Sequence, residues 1–200
     1  MTDRVLSTDM AAPAEQLSLH ELAAKIARET LGMSSSERAS EPTIPGVKHV
    51  LFVLDGTPYA VPMENVLELQ RLPRITPLPS LPDWLRGVMN LRGDVLSVVD
   101  LRSLLGLSPA ESSVSQRLVV VRSTVEEIAT GWIVDRMIGV RRLAMDDMLP
   151  SSTLTIGAAV RFLSGIVDCE GQLIAVLDVN RVLSSPEMRQ FEPTWQADVA

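Results

Sequence analysis

Two aspartates, Asp100 and Asp178, are the first residues in this chain that could do chemistry, because a carboxylate pair can divide general acid and general base work. Each follows an apolar strand-like run and precedes a short helical stretch, for which Gly106 supplies the stop after Leu105 in the first case. At that place a carboxylate oxygen accepts a bond from an orphan backbone N–H, so N-capping accounts for both. Asp146 and Asp147 read the same way, as the start of a helical turn running to Leu149 and stopped by Pro150. His20 and His49 are the only histidines and have no Cys or carboxylate at ligand spacing, so no metal site is expected. Cys169 lies in an apolar run and reads as a small buried residue rather than a nucleophile. There is no glycine-rich phosphate loop, no nucleophile elbow and no Ser/His/Asp set. The reading is of a protein with no catalysis, no metal and no cofactor.

Bulk properties narrow the remaining classes. The net charge of -7 lacks the basic excess that nucleic-acid binding needs to displace counterions, and it disfavours an anionic membrane surface. One cysteine permits no intrachain disulfide, which suits a reducing compartment. No apolar run approaches the ~18 residues of a membrane span, and no signal peptide is evident. The expected location is the cytoplasm. Aromatic residues make up only 4%, so the core must be built from Val, Leu, Ile and Met.

Residues 1–46 read as a disordered lead, a short helix at about 18–31, and a linker rich in Ser, Pro and Glu. Ser18 and Glu21 have capping-box spacing, Leu17 and Leu22 can form a hydrophobic staple, and Leu19, Leu22, Ala23 and Ile26 share one face. A helix this short is marginal alone in water and must dock, on the folded body or on a partner. From Val47 the chain turns to short β-branched runs broken by hairpin signals, Asp55-Gly56 and Arg92-Gly93-Asp94. Four prolines between Pro73 and Pro82 mark an irregular connection.

The second half repeats the first. Trp84-Leu85-Arg86-Gly87-Val88 matches Phe162-Leu163-Ser164-Gly165-Ile166, and Gly93, Val98, Asp100 and Leu105 match Gly171, Val176, Asp178 and Leu183. The spacing is the same, 78 residues, from Trp84 to Phe162 and from Leu105 to Leu183. Two β units of about 70 residues are too small for large sandwiches and fit two small five-stranded barrels, about 47–107 and about 117–186 with room for strand exchange, leaving a tail at 187–200. Barrels this thin should pack on each other to bury more surface.

The run from Trp84 to Arg102, with Gly87-Val88-Met89-Asn90-Leu91-Arg92-Gly93 followed by an apolar strand and Asp100-Leu101-Arg102, resembles the signature of CheW-like domains. Phe52 to Gly56, Val66 to Leu69, Ile133 to Asp135 and the repeat from Phe162 to Leu183 extend the resemblance over 47–186. It implies two SH3-like five-stranded β-barrels around a shared core, with no catalysis and no cofactor. It also implies two partners: the regulatory domain of a CheA-type histidine kinase and the cytoplasmic tip of a methyl-accepting chemotaxis receptor, placing the protein at receptor arrays on the inner membrane without inserting into it. Receptor-contact positions then fall on Val66, Glu68, Gly87 and Arg92, and in the second barrel on Leu118, Met137 and Gly165. Asn90, Gly93, Asp100, Gly171 and Asp178 are structural motif positions, and kinase contacts are not pinned by any motif. Ser97 stands where the family usually has proline, which reads as an edge-strand change.

Each of these positions also has a plainer reading. Glu68 and Arg92 could be an exposed pair contributing ~0 to 1 kcal/mol. Gly87 and Gly165 could be bends at a barrel corner, which suffices for Gly165, while close approach by a partner is added at Gly87. The apolar positions default to core, and a slip of one residue would reverse the face each presents. Three rivals remain: the same fold serving a pilus-motility or surface-sensing system with the N-terminal helix choosing the partner, a small β-barrel that binds nucleic acid, and an enzyme. The acidic balance and scarce aromatics disfavour the second, and nothing among the motifs supports the third.

Overall fold

A computed structural model of the chain describes residues 46–108, 113–146, 148–150 and 158–190; the expected helix at about 18–31 and its linker lie outside the described residues. Eleven strands are described: β1 (Val47–Leu54), β2 (Thr57–Pro62), β3 (Val66–Arg71), β4 (Leu85–Leu91), β5 (Asp94–Asp100), β6 (Arg117–Arg122), β7 (Ala129–Val134), β8 (Arg136–Leu143), β9 (Leu149–Pro150), β10 (Leu163–Cys169) and β11 (Gln172–Leu177). Helical turns follow β5 (Leu101–Leu104) and β11 (Val179–Leu183), and a further one spans Pro186–Arg189. The mainly β fold expected from the sequence is present as two mixed sheets, ordered β3-β6-β7-β5-β4 and β8-β1-β2-β11-β10-β9.

The sheets do not follow the halves of the chain. The hairpin that opens the first repeat, β1–β2, pairs with β8 and runs parallel to β11; the hairpin that opens the second, β6–β7, pairs with β3 and runs parallel to β5. Each repeat thus lends its first hairpin to the other's sheet. This exchange explains why β1 and β6 are apolar almost throughout. Leu51 faces one core with Leu143, Val167 and Ile174, and Leu118 and Val120 face another with Met89, Val98 and Ile133. Their neighbours Val50, Phe52, Val119 and Val121 point the opposite way along the strand and are also buried. A strand buried on both faces reads as a continuous apolar run, not an alternating one.

Short-range signals behave as their chemistry dictates. Asp100 accepts from Ser103 N–H and Asp178 from Arg181 N–H, capping the two helical turns. The three tight hairpins carry positive φ at both central residues, Asp55-Gly56, Arg92-Gly93 and Glu170-Gly171, as turns matching the strand twist require. Asn90 and Asp168 brace two of them by accepting from Gly93 N–H and Gly171 N–H.

Three readings are corrected. Leu149–Pro150, expected to close a helical turn from Asp146, pairs with β10 as β9, because Gly165 has no side chain to hold the Leu149 carbonyl off; Asp147 lies outside the described residues. Ser97 is not on an edge: β5 is flanked by β4 and β7. There Thr130 Oγ1 donates to the Ser97 carbonyl, so the 2.9 Å contact between the two hydroxyls is donated by Ser97. Cys169 is half-buried rather than enclosed, at the end of β10.

His49 is a buried group with a pH consequence. It is 1% exposed on β1, its Nδ1 lies 2.8 Å from the Val47 carbonyl, and its Nε2 has no partner among the described residues. Burial holds its pKa below the usual 6.5, outweighing the Val47 carbonyl and the Glu64 charge, which act the other way. The folded chain therefore refuses a proton that the unfolded chain accepts. Stability is complete above pH 6.5 and falls as the pH drops below it. Thermal melts should show a midpoint falling from pH 7 toward the folded-state pKa, with that component of the slope absent in His49→Leu.

Candidate functional site

The site is assembled from an edge strand and a turn. β3 is the outer strand of the five-stranded sheet, pairing only with β6 there. A bulge at Leu67 interrupts that pairing between Val66, opposite Val121, and Glu68, opposite Val120. Beyond it, Leu67 and Leu69 are exposed, 49% and 44%, while Val66, Glu68 and Gln70 are half-buried. Two exposed leucines at alternate positions of an edge strand form an apolar strip of the kind that marks protein contacts.

Arg92 comes to β3 from the β4–β5 turn. Its φ of 55° places it at the tip, and its Nη2 donates to Glu68 Oε2 at 2.7 Å. The Arg92 side chain is 81% exposed and that of Glu68 26%. An ion pair so open to water contributes ~0 to 1 kcal/mol to folding. Its physical effect is to hold a cation, already aligned, on the Glu68 side of β3, while Leu69 faces the other side of the strand.

The other sequence-named positions divide by symmetry. Met137 in β8 corresponds to Val66 in β3: each precedes a bulge and lies opposite the equivalent residue of its neighbour, Phe52 and Val121. Past that bulge β8 exposes Ile138 and Val140 as β3 exposes Leu67 and Leu69. Gly87 and Gly165 also correspond, each at a register shift of its hairpin. In both cases the approaching backbone is the chain's own, Thr76 and Pro77 at Gly87 and Leu149 at Gly165. At Gly87 the space expected for a partner is thus filled internally. Leu118 is fully buried, packed over Gly131, where an added Cβ would lie 3.1 Å from its side chain. It supports the β3 edge from beneath without reaching solvent. Glu68 and Arg92 meet directly, while Met137 and Gly165 belong to the other sheet.

Sequence reasoning missed Leu67, Leu69, Ile138 and Val140, which alternation assigns to the core. It also missed a clamp. Arg102, its side chain 12% exposed, donates to Asp55 at 2.8 Å, Asp135 at 2.9 Å and the Ser108 carbonyl at 2.7 Å. Asp135 also accepts from Asp55 N–H. At the position 78 residues on, Asn180 accepts from Ser123 Oγ and Thr124 N–H and donates to Thr124 Oγ1. One clamp is ionic and the other neutral, but each ties a helical turn to the tip of an exchanged hairpin. Among the described residues, no three His, Cys, Asp or Glu side chains cluster to hold a metal, and no helix is long and apolar enough to cross a membrane.

Comparison with known proteins agrees with this architecture. Residues 48–187 match the CheW-like domain. The chain is 35% identical to protein FrzA of Myxococcus xanthus over 64% of its own length and 80% of that protein. It is 28% identical to the chemotaxis protein CheW of Thermotoga maritima, covering 70% and 89%, and 25% identical to that of Klebsiella aerogenes, covering 78% and 93%. The crystal structure of scaffolding protein TtCheW from Thermoanaerobacter tengcongensis superposes with a TM-score of 0.64 at 24% identity, covering 71% of this chain and 95% of that one. With its exchanged hairpins, its glycine bulges and a family match over most of its length, the chain belongs to the CheW-like family.

Proposed function

We propose that this protein is a non-enzymatic adaptor, working in the cytoplasm at receptor arrays, that joins the cytoplasmic tip of a methyl-accepting chemoreceptor to the regulatory domain of a CheA-type histidine kinase. The observation that carries the reading is the exposed Glu68–Arg92 pair on an edge strand that also exposes Leu67 and Leu69, within a CheW-like domain. Such an edge offers a helical partner an apolar seat and one oriented charge. Signals would pass by shifting populations of contacts, not by chemistry. Arg92→Ala is expected to weaken receptor-tip binding by roughly 5- to 30-fold, the equivalent of ~1 to 2 kcal/mol. Its unfolding midpoint should stay nearly unchanged, because the pair is exposed. Titration calorimetry and chemical denaturation of the same preparation test both halves. A folded variant with undiminished receptor affinity and full kinase activation would overturn the assignment.

A second reading keeps the fold and moves the pathway to pilus motility or surface sensing, with the residues before Val47 choosing the partner. Two observations favour it: the match to FrzA is higher in identity than those to the two CheW proteins compared, and the family match begins only at residue 48. Deleting residues 1–46 should change which kinase and receptor are bound, measured across the complete set in the source organism. Equal binding of every partner by the shortened chain would sink this reading.

A further inference from the structure

The two edge strands β3 and β8 share a row of side chains that the Glu68–Arg92 pair does not use. On β3, Leu69 lies opposite Val119 and Arg71 opposite Arg117; on β8, Val140 lies opposite Val50 and Arg142 opposite Lys48. Residues directly opposite in an antiparallel pair share a face, and so do residues two apart on one strand. Each edge therefore presents the same row on one face: an exposed Leu or Val beside a buried valine, then two cations side by side. On β3 this face is the one turned away from Glu68.

Like charges directly opposite each other cost stability. Carboxylates to relieve that cost are plentiful, with 25 acidic residues against 18 basic. Yet none of Lys48, Arg71, Arg117 and Arg142 belongs to an ion pair among the described residues. Arg117 donates to the carbonyls of Val114 and Gln116, at 2.9 and 2.8 Å, and Arg142 to that of Gly46 at 2.8 Å, so one cation of each pair is tied to backbone at the end of its row. The same uncompensated arrangement occurs in both halves of the repeat. Such a row is complementary to an apolar side chain followed by a carboxylate, and the acidic balance of the chain disfavours a second copy in that place. Two residues along a strand advance ~6.6 Å and four along an α-helix ~6 Å, so a helix lying along the strand matches the row when its apolar residue and its carboxylate are four positions apart. We propose that the Leu69–Arg71 and Val140–Arg142 rows each seat an amphipathic helix of a partner that carries an apolar residue at position i and Asp or Glu at i+4. The inference rests on the adaptor reading in taking that partner to be the receptor tip, and deepens it by naming the chemistry the receptor helix must present.

The test uses a synthetic amphipathic helix with Leu at i and Glu at i+4, the same helix with Gln at i+4, and the same helix with its Glu moved to i+2. In chemical-shift titrations of the isotope-labelled full-length chain, the first helix should shift the amides of β3 and β8 and bind about tenfold more tightly than the other two. Its binding should weaken as salt rises. Arg71→Glu and Lys48→Glu separate binding from folding, because each sets a carboxylate opposite a remaining cation, Arg117 or Arg142. Each variant should raise the unfolding midpoint while weakening the first helix at its own row by about tenfold or more. A merely structural role for Arg71 and Lys48 would lower the midpoint instead. Equal affinity for the three helices, shifts confined to other surfaces, undiminished binding by both variants, or dimerisation of the wild type through these rows would overturn the proposal. Titration with receptor tips of the source organism is the separate arm. A wild type that takes the first helix but no receptor tip contradicts the adaptor reading and leaves the chemistry of the rows standing, whereas receptor binding unchanged in both variants contradicts the rows alone.

Discussion

Gly87→Ala is expected to destabilise the domain by ~3 to 5 kcal/mol, combining backbone strain with an overpacked contact. Gly87 has φ +131°, which an alanine tolerates poorly, and a Cβ there would drive into the carbonyl of Thr76 and the backbone of Pro77. Neither neighbour can yield cheaply: Thr76 N–H donates to the Val88 carbonyl at 2.8 Å and Val88 N–H to the Thr76 carbonyl at 2.9 Å. Gly93 separates the two causes. Its φ is +107°, but a Cβ there meets nothing within 4 Å, so Gly93→Ala should show strain alone, ~1 to 2 kcal/mol. Urea denaturation of both variants measures the difference. If they lose equal stability, the Thr76–Pro77 contact is not what requires a glycine. Under the adaptor proposal, receptor binding lost on substituting Gly87 would reflect folding, whereas binding lost on substituting Arg92 would reflect contact.

Arg102→Ala is expected to cost ~2 to 4 kcal/mol, toward the lower side of what removing one partner of a buried ion pair costs, because Asp55 is partly solvated. The guanidinium sits where three elements meet: the helical turn after β5, the β1–β2 turn and Asp135 between β7 and β8. Without it, Asp55 and Asp135 face each other with no cation between them. Arg102→Lys should recover less than half of the loss, since one ammonium on a flexible stem cannot reproduce the planar fork that bonds both carboxylates and the Ser108 carbonyl. Asn180→Ala, at the neutral clamp, should cost less, ~1 to 2 kcal/mol, as a loss of uncharged hydrogen bonds. Chemical denaturation at low and high salt distinguishes the two clamps: only the Arg102 loss should shrink as salt rises. A salt-independent loss at Arg102 would mean that packing, not charge, holds the hairpin.

What could be read in the sequence follows from the range of the interactions. The caps at Asp100 and Asp178 and the Arg92-Gly93 turn were legible because each is settled within about four residues. The two-fold repetition was legible from its constant spacing. Where the hairpins go was not: nothing local in β1 says that it pairs with β8, some ninety residues on, rather than with a strand of its own half. Leu149–Pro150 failed for the same reason, since its strand character comes from Gly165. The candidate site was half legible. The Glu68–Arg92 pair came from the family motif, but alternation along Val66-Leu67-Glu68-Leu69-Gln70 buries the leucines, and the structure exposes them. That inversion is a violation of binary patterning, and such violations concentrate where a surface is kept for a partner. Leu118 shows the converse, a position that looked like contact and is core.

The most direct test of the central claim is calorimetric titration of the purified protein against the regulatory domain of each CheA-type kinase in its source organism. The adaptor account predicts saturable one-to-one binding to one of them, retained in Arg92→Ala, whose defect belongs to the receptor side. A folded protein that binds none of these domains would contradict the account, leaving the CheW-like fold without the role proposed for it.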